Sequence, residues 1–138
     1  MGEISDIVRC GDTHHIEFSI HRDEMQAFRE ISGDKNPIHW DSSVARKAGL
    51  RGPAVYGALI IAKLSRLIGS ELPGHYAIWT ELSTRFHNPL GVNENADIHA
   101  TVTHVSDATQ VIELRYEVRS DTKTIARGTA SVIIGLND

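Results

Sequence analysis

Val55-Tyr56-Gly57-Ala58-Leu59-Ile60-Ile61-Ala62-Lys63-Leu64-Ser65-Arg66-Leu67-Ile68-Gly69-Ser70-Glu71-Leu72 contains the longest apolar stretch of the chain. At 3.6 residues per turn its apolar residues cover most of the circumference, and Lys63, Arg66 and Ser70 mark one narrow polar edge. The pattern predicts a largely buried helix. After Pro73-Gly74 the period drops to two, and Tyr76, Ile78, Thr80, Leu82, Thr84 and Phe86 are expected on one face of a long strand. A second strand carries Ile98, Ala100 and Val102, preceded by the turn Asn93-Glu94-Asn95. In a third, Ile112, Leu114, Tyr116 and Val118 alternate with charged residues, the signature of an antiparallel strand with one face in the core and one in water. A fourth runs from Thr124 to Ile134 after the turn Ser120–Lys123. An apolar helix followed by a meander of half-buried strands implies an α+β fold in which an antiparallel sheet wraps around the helix.

Upstream, Ile16, Phe18 and Ile20 alternate over His15–Ile20, a first strand. Arg22–Ile31 places Met25, Phe28 and, one turn on, Ile31 or Ser32 at helical spacing, with Asp23 and Glu24 in the acid-favouring first turn. Asp41–Ala48 reads as another short helix. Between these two helices, Gly33-Asp34-Lys35-Asn36-Pro37 is turn chemistry: glycine tolerates positive φ, Asp and Asn bond to nearby backbone, and Pro37 biases Asn36 away from the helical region.

Bulk properties narrow the function. The 138 residues suit one domain, residues 1–138, with one core and one site. A net charge of -4 gives no basic field for nucleic acid. The apolar run is interrupted well short of the roughly 18 residues that a membrane span needs. A single cysteine, Cys10, cannot form an internal disulfide, and Met1-Gly2-Glu3-Ile4-Ser5-Asp6 lacks the cationic and apolar regions of a signal peptide, so a cytoplasmic protein is expected. The 8 histidines show none of the paired spacings of zinc or iron sites, so no metal is expected.

Asp34 and His39 lie five residues apart in the proline-stiffened turn, which can bring both side chains over one point where a helix could not. A carboxylate and an imidazole that share a water can take one of its protons and return a proton to substrate, as general acid/base hydration requires. The same residues also suit a plainer role, Asp34 capping backbone in a Ser-Gly-Asp turn and His39 serving structure.

The string Phe28-Arg29-Glu30-Ile31-Ser32-Gly33-Asp34-Lys35-Asn36-Pro37-Ile38-His39, with Ala45 six residues after the histidine, resembles the signature of the MaoC-like (R)-specific enoyl-CoA hydratases. The likeness continues through Gly52-Pro53, Tyr56-Gly57 and Leu72-Pro73-Gly74 into the strands, nearly the whole chain. It implies the hot-dog fold, with Asp34 and His39 as the catalytic pair. These would activate water for syn addition across the α,β double bond of an enoyl thioester, giving the (R)-3-hydroxyacyl thioester. Gly57 matches the family's glycine at the first turn of the central helix, where its amide would stabilise the enolate oxygen; close packing is the other explanation. Ser65 matches a serine near such sites and can equally bond back to its own helix. Asn36 and Tyr56 complete the candidates for contact with substrate. Tyr56 departs from the family, whose members commonly carry His there.

The resemblance further implies a homodimer with a continuous sheet, an acyl-CoA or acyl-carrier-protein substrate, and no cofactor, because the thioester is its own electron sink. Hot-dog domains also host thioesterases and carrier-protein dehydratases, and a non-catalytic acyl-thioester binding module is a third possibility. The Gly-Asp-x-Asn-Pro-x-His string favours hydration or dehydration. Arg85 and His87, flanking Phe86, are open to a carrier or simply to water.

Overall fold

The computed structural model describes residues 3–135, so the reading of Met1 and Gly2 as free of leader character lies outside the described residues. In chain order the elements are β1 (Thr13–Phe18), α1 (Arg22–Ser32), α2 (Ser42–Lys47), α3 (Gly57–Ser70), β2 (Ala77–Phe86), β3 (Ala96–Ser106), β4 (Val111–Ser120) and β5 (Lys123–Ile134). The strands form one antiparallel sheet ordered β1-β3-β4-β5-β2, with the β3-β4-β5 meander at its centre. Ile60, Leu64, Leu67 and Ile68 of α3 are buried in the same cluster as Ile98, Val102, Ile112, Leu114, Val118 and Val132 of the sheet. Each fully buried aliphatic side chain contributes roughly 1.5–3 kcal/mol of transfer free energy. This helix-in-sheet arrangement is the α+β architecture that the periodicity anticipates and the hot-dog fold that the resemblance implies.

Three local expectations are corrected. In β2 the register shifts between Trp79 and Glu81, so Thr80 is an extra residue and the alternation changes face there. Ala77 and Trp79, opposite Ile134 and Val132, pack on the core, while Ile78 turns away, half exposed; beyond the bulge Leu82, Thr84 and Phe86 share one face, with Leu82 37% and Phe86 51% exposed. Tyr76 lies before the strand at positive φ and is exposed. The helix α3 is less covered than its composition predicts: besides Arg66 and Ser70 of the expected polar edge, a strip of Ala58, Ala62, Ser65 and Gly69 is exposed. Small side chains make this strip neither polar nor strongly apolar, which is why periodicity does not reveal it. Ile31, finally, is 85% exposed at the end of α1, where Met25 carries the burial and Phe28 packs on the core edge.

Both ends of α1 are fixed by sequence. Glu24 reaches back to accept the His21 N–H at 3.1 Å, and Gly33, at φ 74°, closes the helix with its N–H on the Arg29 carbonyl at 2.9 Å. The chain therefore leaves α1 in a set direction, straight into the Asp34–His39 loop.

Candidate active site

Every second residue of that loop ties a side chain to backbone. Ser32 Oγ accepts the Asp34 N–H at 3.0 Å, Asp34 Oδ1 the Asn36 N–H at 3.0 Å, and Asn36 Oδ1 the Ile38 N–H at 3.1 Å. Pro37 then opens a single 3-10 turn, Pro37–His39. The result is a rigid, solvent-facing hook. Asp34 does form the backbone cap of the plainer explanation, but this uses one carboxylate oxygen, and Oδ2 has no hydrogen-bond partner among the described residues. Asn36 spends its side-chain carbonyl on the turn, leaving its NH2 as the group that can meet a ligand.

His39 is half-buried, and its Nδ1 lies 2.8 Å from the Ala54 carbonyl oxygen. A carbonyl only accepts, so Nδ1 carries the proton, and in the neutral ring Nε2 presents its lone pair. This is the tautomer a general base requires.

Tyr56 joins the two candidates. It is 2% exposed, its ring centroid lies 4.0 Å from that of His39 and 4.6 Å from that of Phe28, and its hydroxyl donates to the Asp34 carbonyl oxygen at 2.6 Å. The same hydroxyl accepts the Trp40 Nε1–H at 2.8 Å. Trp40 in turn lies beneath the guanidinium groups of Arg22 and Arg29, at 5.0 and 5.2 Å from the ring centre. Tyr56 is thus buried structure behind the pair, with its hydroxyl already bonded twice. Trp40, Ala54 and the two arginines are absent from the sequence-based candidates; the one hint was an indole immediately after His39.

Gly57 opens α3, so its N–H has no intrahelical acceptor. A Cβ there would meet Phe86 Cζ at 3.1 Å, which satisfies the close-packing explanation without removing the donor. A cavity of about 310 Å³ is bounded by Gly57, Ala54, Ile60, Phe86 and His87, and so touches both the free helix terminus and the residue that anchors His39. A wider depression of about 590 Å³, between Glu17, Asn95 and Arg119, includes none of the candidate residues. Ser65 is exposed and has no hydrogen-bond partner among the described residues, so the expected bond to its own helix does not form. No cluster of three or more His, Cys, Asp or Glu side chains with metal-binding geometry occurs among the described residues, nor any helix long and apolar enough to cross a membrane.

The sequence profile described as "MaoC like domain" matches residues 6–124. The chain belongs to the MaoC-like domain family. Among relatives of this MaoC-like chain, an (R)-specific enoyl-CoA hydratase of Aeromonas caviae is 29% identical over 112 residues, 81% of this chain and 79% of that protein. A mitochondrial 3-hydroxyacyl-[acyl-carrier-protein] dehydratase of Arabidopsis thaliana is 27% identical over 128 residues, 93% of this chain and 74% of that protein. The solved structure of an (R)-hydratase from A. caviae involved in PHA biosynthesis superposes with a TM-score of 0.87 at 25% identity, covering 92% of this chain and 97% of that one. A MaoC-like dehydratase from Rhodospirillum rubrum, 20% identical, shares the fold with a TM-score of 0.79 over 100% of this chain and 99% of its own.

Proposed function

We propose that this MaoC-like domain, residues 1–138, is a hydro-lyase that adds water reversibly to trans-2-enoyl thioesters and forms (R)-3-hydroxyacyl thioesters. The observation that carries the reading is the Nδ1–H bond of His39 to Ala54, which leaves Nε2 basic beside a loop whose Asp34 keeps one carboxylate oxygen free. The relatives named above act in both directions of this one reaction, as hydratase and as dehydratase.

In the hydration direction, a water held between Asp34 and His39 gives up a proton and attacks Cβ of the enoyl group. Electron density moves through the α,β bond to the thioester oxygen, where the Gly57 N–H and the positive end of α3 receive the developing charge. The proton then returns to Cα on the same face. No cofactor enters the balance. Asn36, through its side-chain NH2, and Ser65, on the exposed strip of α3, are the further candidates for substrate contact, whereas Tyr56 supports the pair from behind. A homodimer is part of the proposal: β2 is an edge strand with Leu82 37% and Phe86 51% exposed, and a partner strand would cover them.

The deciding experiment follows the loss of enoyl-thioester absorbance with crotonyl-CoA, with the product's stereochemistry determined. Asp34→Asn keeps an oxygen for the Asn36 N–H, so the loop stays intact while activity falls roughly 10²- to 10⁴-fold. Release of free thiol in place of hydration would make the protein a thioesterase; a folded chain inert on all enoyl thioesters and indifferent to the substitution would make it a binding module.

A further inference from the structure

The cavity beside Gly57 does not end at Phe86. A second cavity of about 340 Å³ adjoins it, and Ala54, Asn88, Pro89 and Leu90 line both. That shared wall is fixed by backbone pairing: Ala54 forms an antiparallel bridge with Gly91, and the Val55 N–H donates to Leu90 at 2.8 Å. Asn88 is pinned by its Nδ2–H bond to the Thr124 carbonyl at 2.7 Å. A furrow therefore runs from the helix terminus, along an uncharged wall, to a far end flanked by Arg51 and Lys123.

The charge at that far end runs against the net charge of -4 of the chain. Arg51 is exposed in the turn before α3 and has no carboxylate partner among the described residues. Lys123 lies 3.7 Å from Glu94, the one acid that lines this cavity. The Glu94 carboxylate is already committed: Oε1 accepts the Gly91 N–H at 3.0 Å, and Oε2 accepts the Ser120 hydroxyl as well as pairing with Lys123. Glu94 thus offsets Lys123 and holds it in place, and Arg51 contributes the uncompensated positive charge.

An enoyl thioester of the kind proposed above is carried on phosphopantetheine, a long uncharged arm that ends in phosphate. The furrow has the same order of properties, reaction centre, uncharged wall, cations. Taking the hydratase reading as its basis, we propose that Arg51 and Lys123 form the phosphate-binding end of the substrate groove. Coenzyme A and a carrier protein's prosthetic group both present that phosphate, so this chemistry is common to the two.

The test compares three crotonyl thioesters, on coenzyme A, on a holo-carrier protein and on pantetheine without phosphate, using wild type, Arg51→Ala and Lys123→Ala. Both side chains are solvent-facing, so folding is unaffected. Arg51→Ala is expected to raise KM for a phosphorylated substrate about five- to tenfold and Lys123→Ala by less, with kcat unchanged, as for loss of one charge-assisted contact. Crotonyl-pantetheine should respond to neither, and added salt should raise the wild-type KM for the phosphorylated substrates alone. A rise with both phosphorylated substrates assigns the site to the phosphate they share, and a rise with coenzyme A alone assigns it to the nucleotide's phosphates. Unchanged KM values, or an equal rise with crotonyl-pantetheine, overturn the proposal while leaving the hydratase reading intact. Failure of wild type to hydrate any of the three overturns that reading instead, and the phosphate assignment with it.

Discussion

The hydroxyl of Tyr56 donates to the backbone carbonyl of Asp34 at 2.6 Å while its ring packs, tilted by 31°, with its centre 4.0 Å from that of the His39 imidazole, so one buried side chain holds both members of the proposed pair. Tyr56→Phe keeps the ring contact but strands two polar groups, the Asp34 carbonyl and the Trp40 Nε1–H. The cost is expected at about 1–3 kcal/mol of stability. Because Asp34 loses its backbone anchor, kcat should fall about tenfold with KM little changed, the pattern of an interaction that matters only in the transition state. Thermal unfolding and steady-state kinetics check this. Trp40→Phe combined with Tyr56→Phe should cost less than the two singly, since they share one hydrogen bond; strict additivity would show that the network does not act as a unit.

Gly57 and Phe86 give a second, separable prediction. A methyl group at position 57 would lie 3.1 Å from Phe86 Cζ, inside ordinary contact, but the ring is half exposed at the end of β2 and can give way. Gly57→Ala should therefore cost little stability, about 1 kcal/mol or less, because alanine also favours the helix. Activity should drop at least tenfold, the methyl group and the displaced ring crowding the approach to the amide. Gly57→Ala with Phe86→Ala relieves the collision. Recovery of activity in the double variant would locate the fault in Phe86; persistent loss would locate it at the helix terminus itself.

How far these relationships were visible beforehand depends on their range. The strands and α3 were readable because period-2 and period-3.6 patterns are local, and the β2 to β5 boundaries fall close to where alternation begins and ends. The bulge at Thr80 was not: a threonine fits either face, and only pairing with Ser131 and Val132 reveals the extra residue. Asp34 and His39 stood out through their turn chemistry and the family signature. Trp40, Arg22 and Arg29 did not, because their connection to the pair runs through Tyr56, which reaches the loop only once α3 is docked. The exposed strip Ala58, Ala62, Ser65 and Gly69 was hidden for a related reason, since alanine and glycine are equally at home inside and outside.

Acid should destabilise the fold through three glutamates. Burial pushes Glu94 upward, but the Ser120 hydroxyl, the Gly91 N–H and Lys123 together outweigh it, and the carboxyl sits below its ordinary 4.5. Glu24 follows the same balance, burial opposed by Lys63 and the His21 N–H, and Glu117 is held down chiefly by Arg119. A carboxyl more acidic in the folded state binds fewer protons there than in the unfolded chain. Its stabilisation is present above the unfolded value and is lost as pH falls through the folded one. Tm should therefore decline as pH drops below 4.5, the ordinary value of these carboxyls. Glu94→Gln should start from a lower Tm at neutral pH and lose less on acidification; a parallel decline in wild type and variant would exclude Glu94 as a contributor.

The open edge of β2 supplies the last prediction. Its other side pairs with β5 from Ala77 to Phe86, which leaves a ten-residue strand with its second edge unpaired among the described residues. Unprotected edges of that length invite another strand, and β2 has neither proline nor an inward-facing charge to prevent it. Leu82 lies mid-strand on the core-side face, 37% exposed, and the uncovered strip of α3 offers small side chains that let a partner approach closely. Leu82→Lys places an inward-pointing charge there at little cost to the protomer, because Leu82 is not part of the buried cluster. Light scattering should show a dimer for wild type and a shift toward monomer for the variant. If the partner also closes the cavity beside Phe86 and Gly57, activity per chain will fall with dilution in step with dissociation, whereas activity independent of concentration would mean that each protomer carries a complete site.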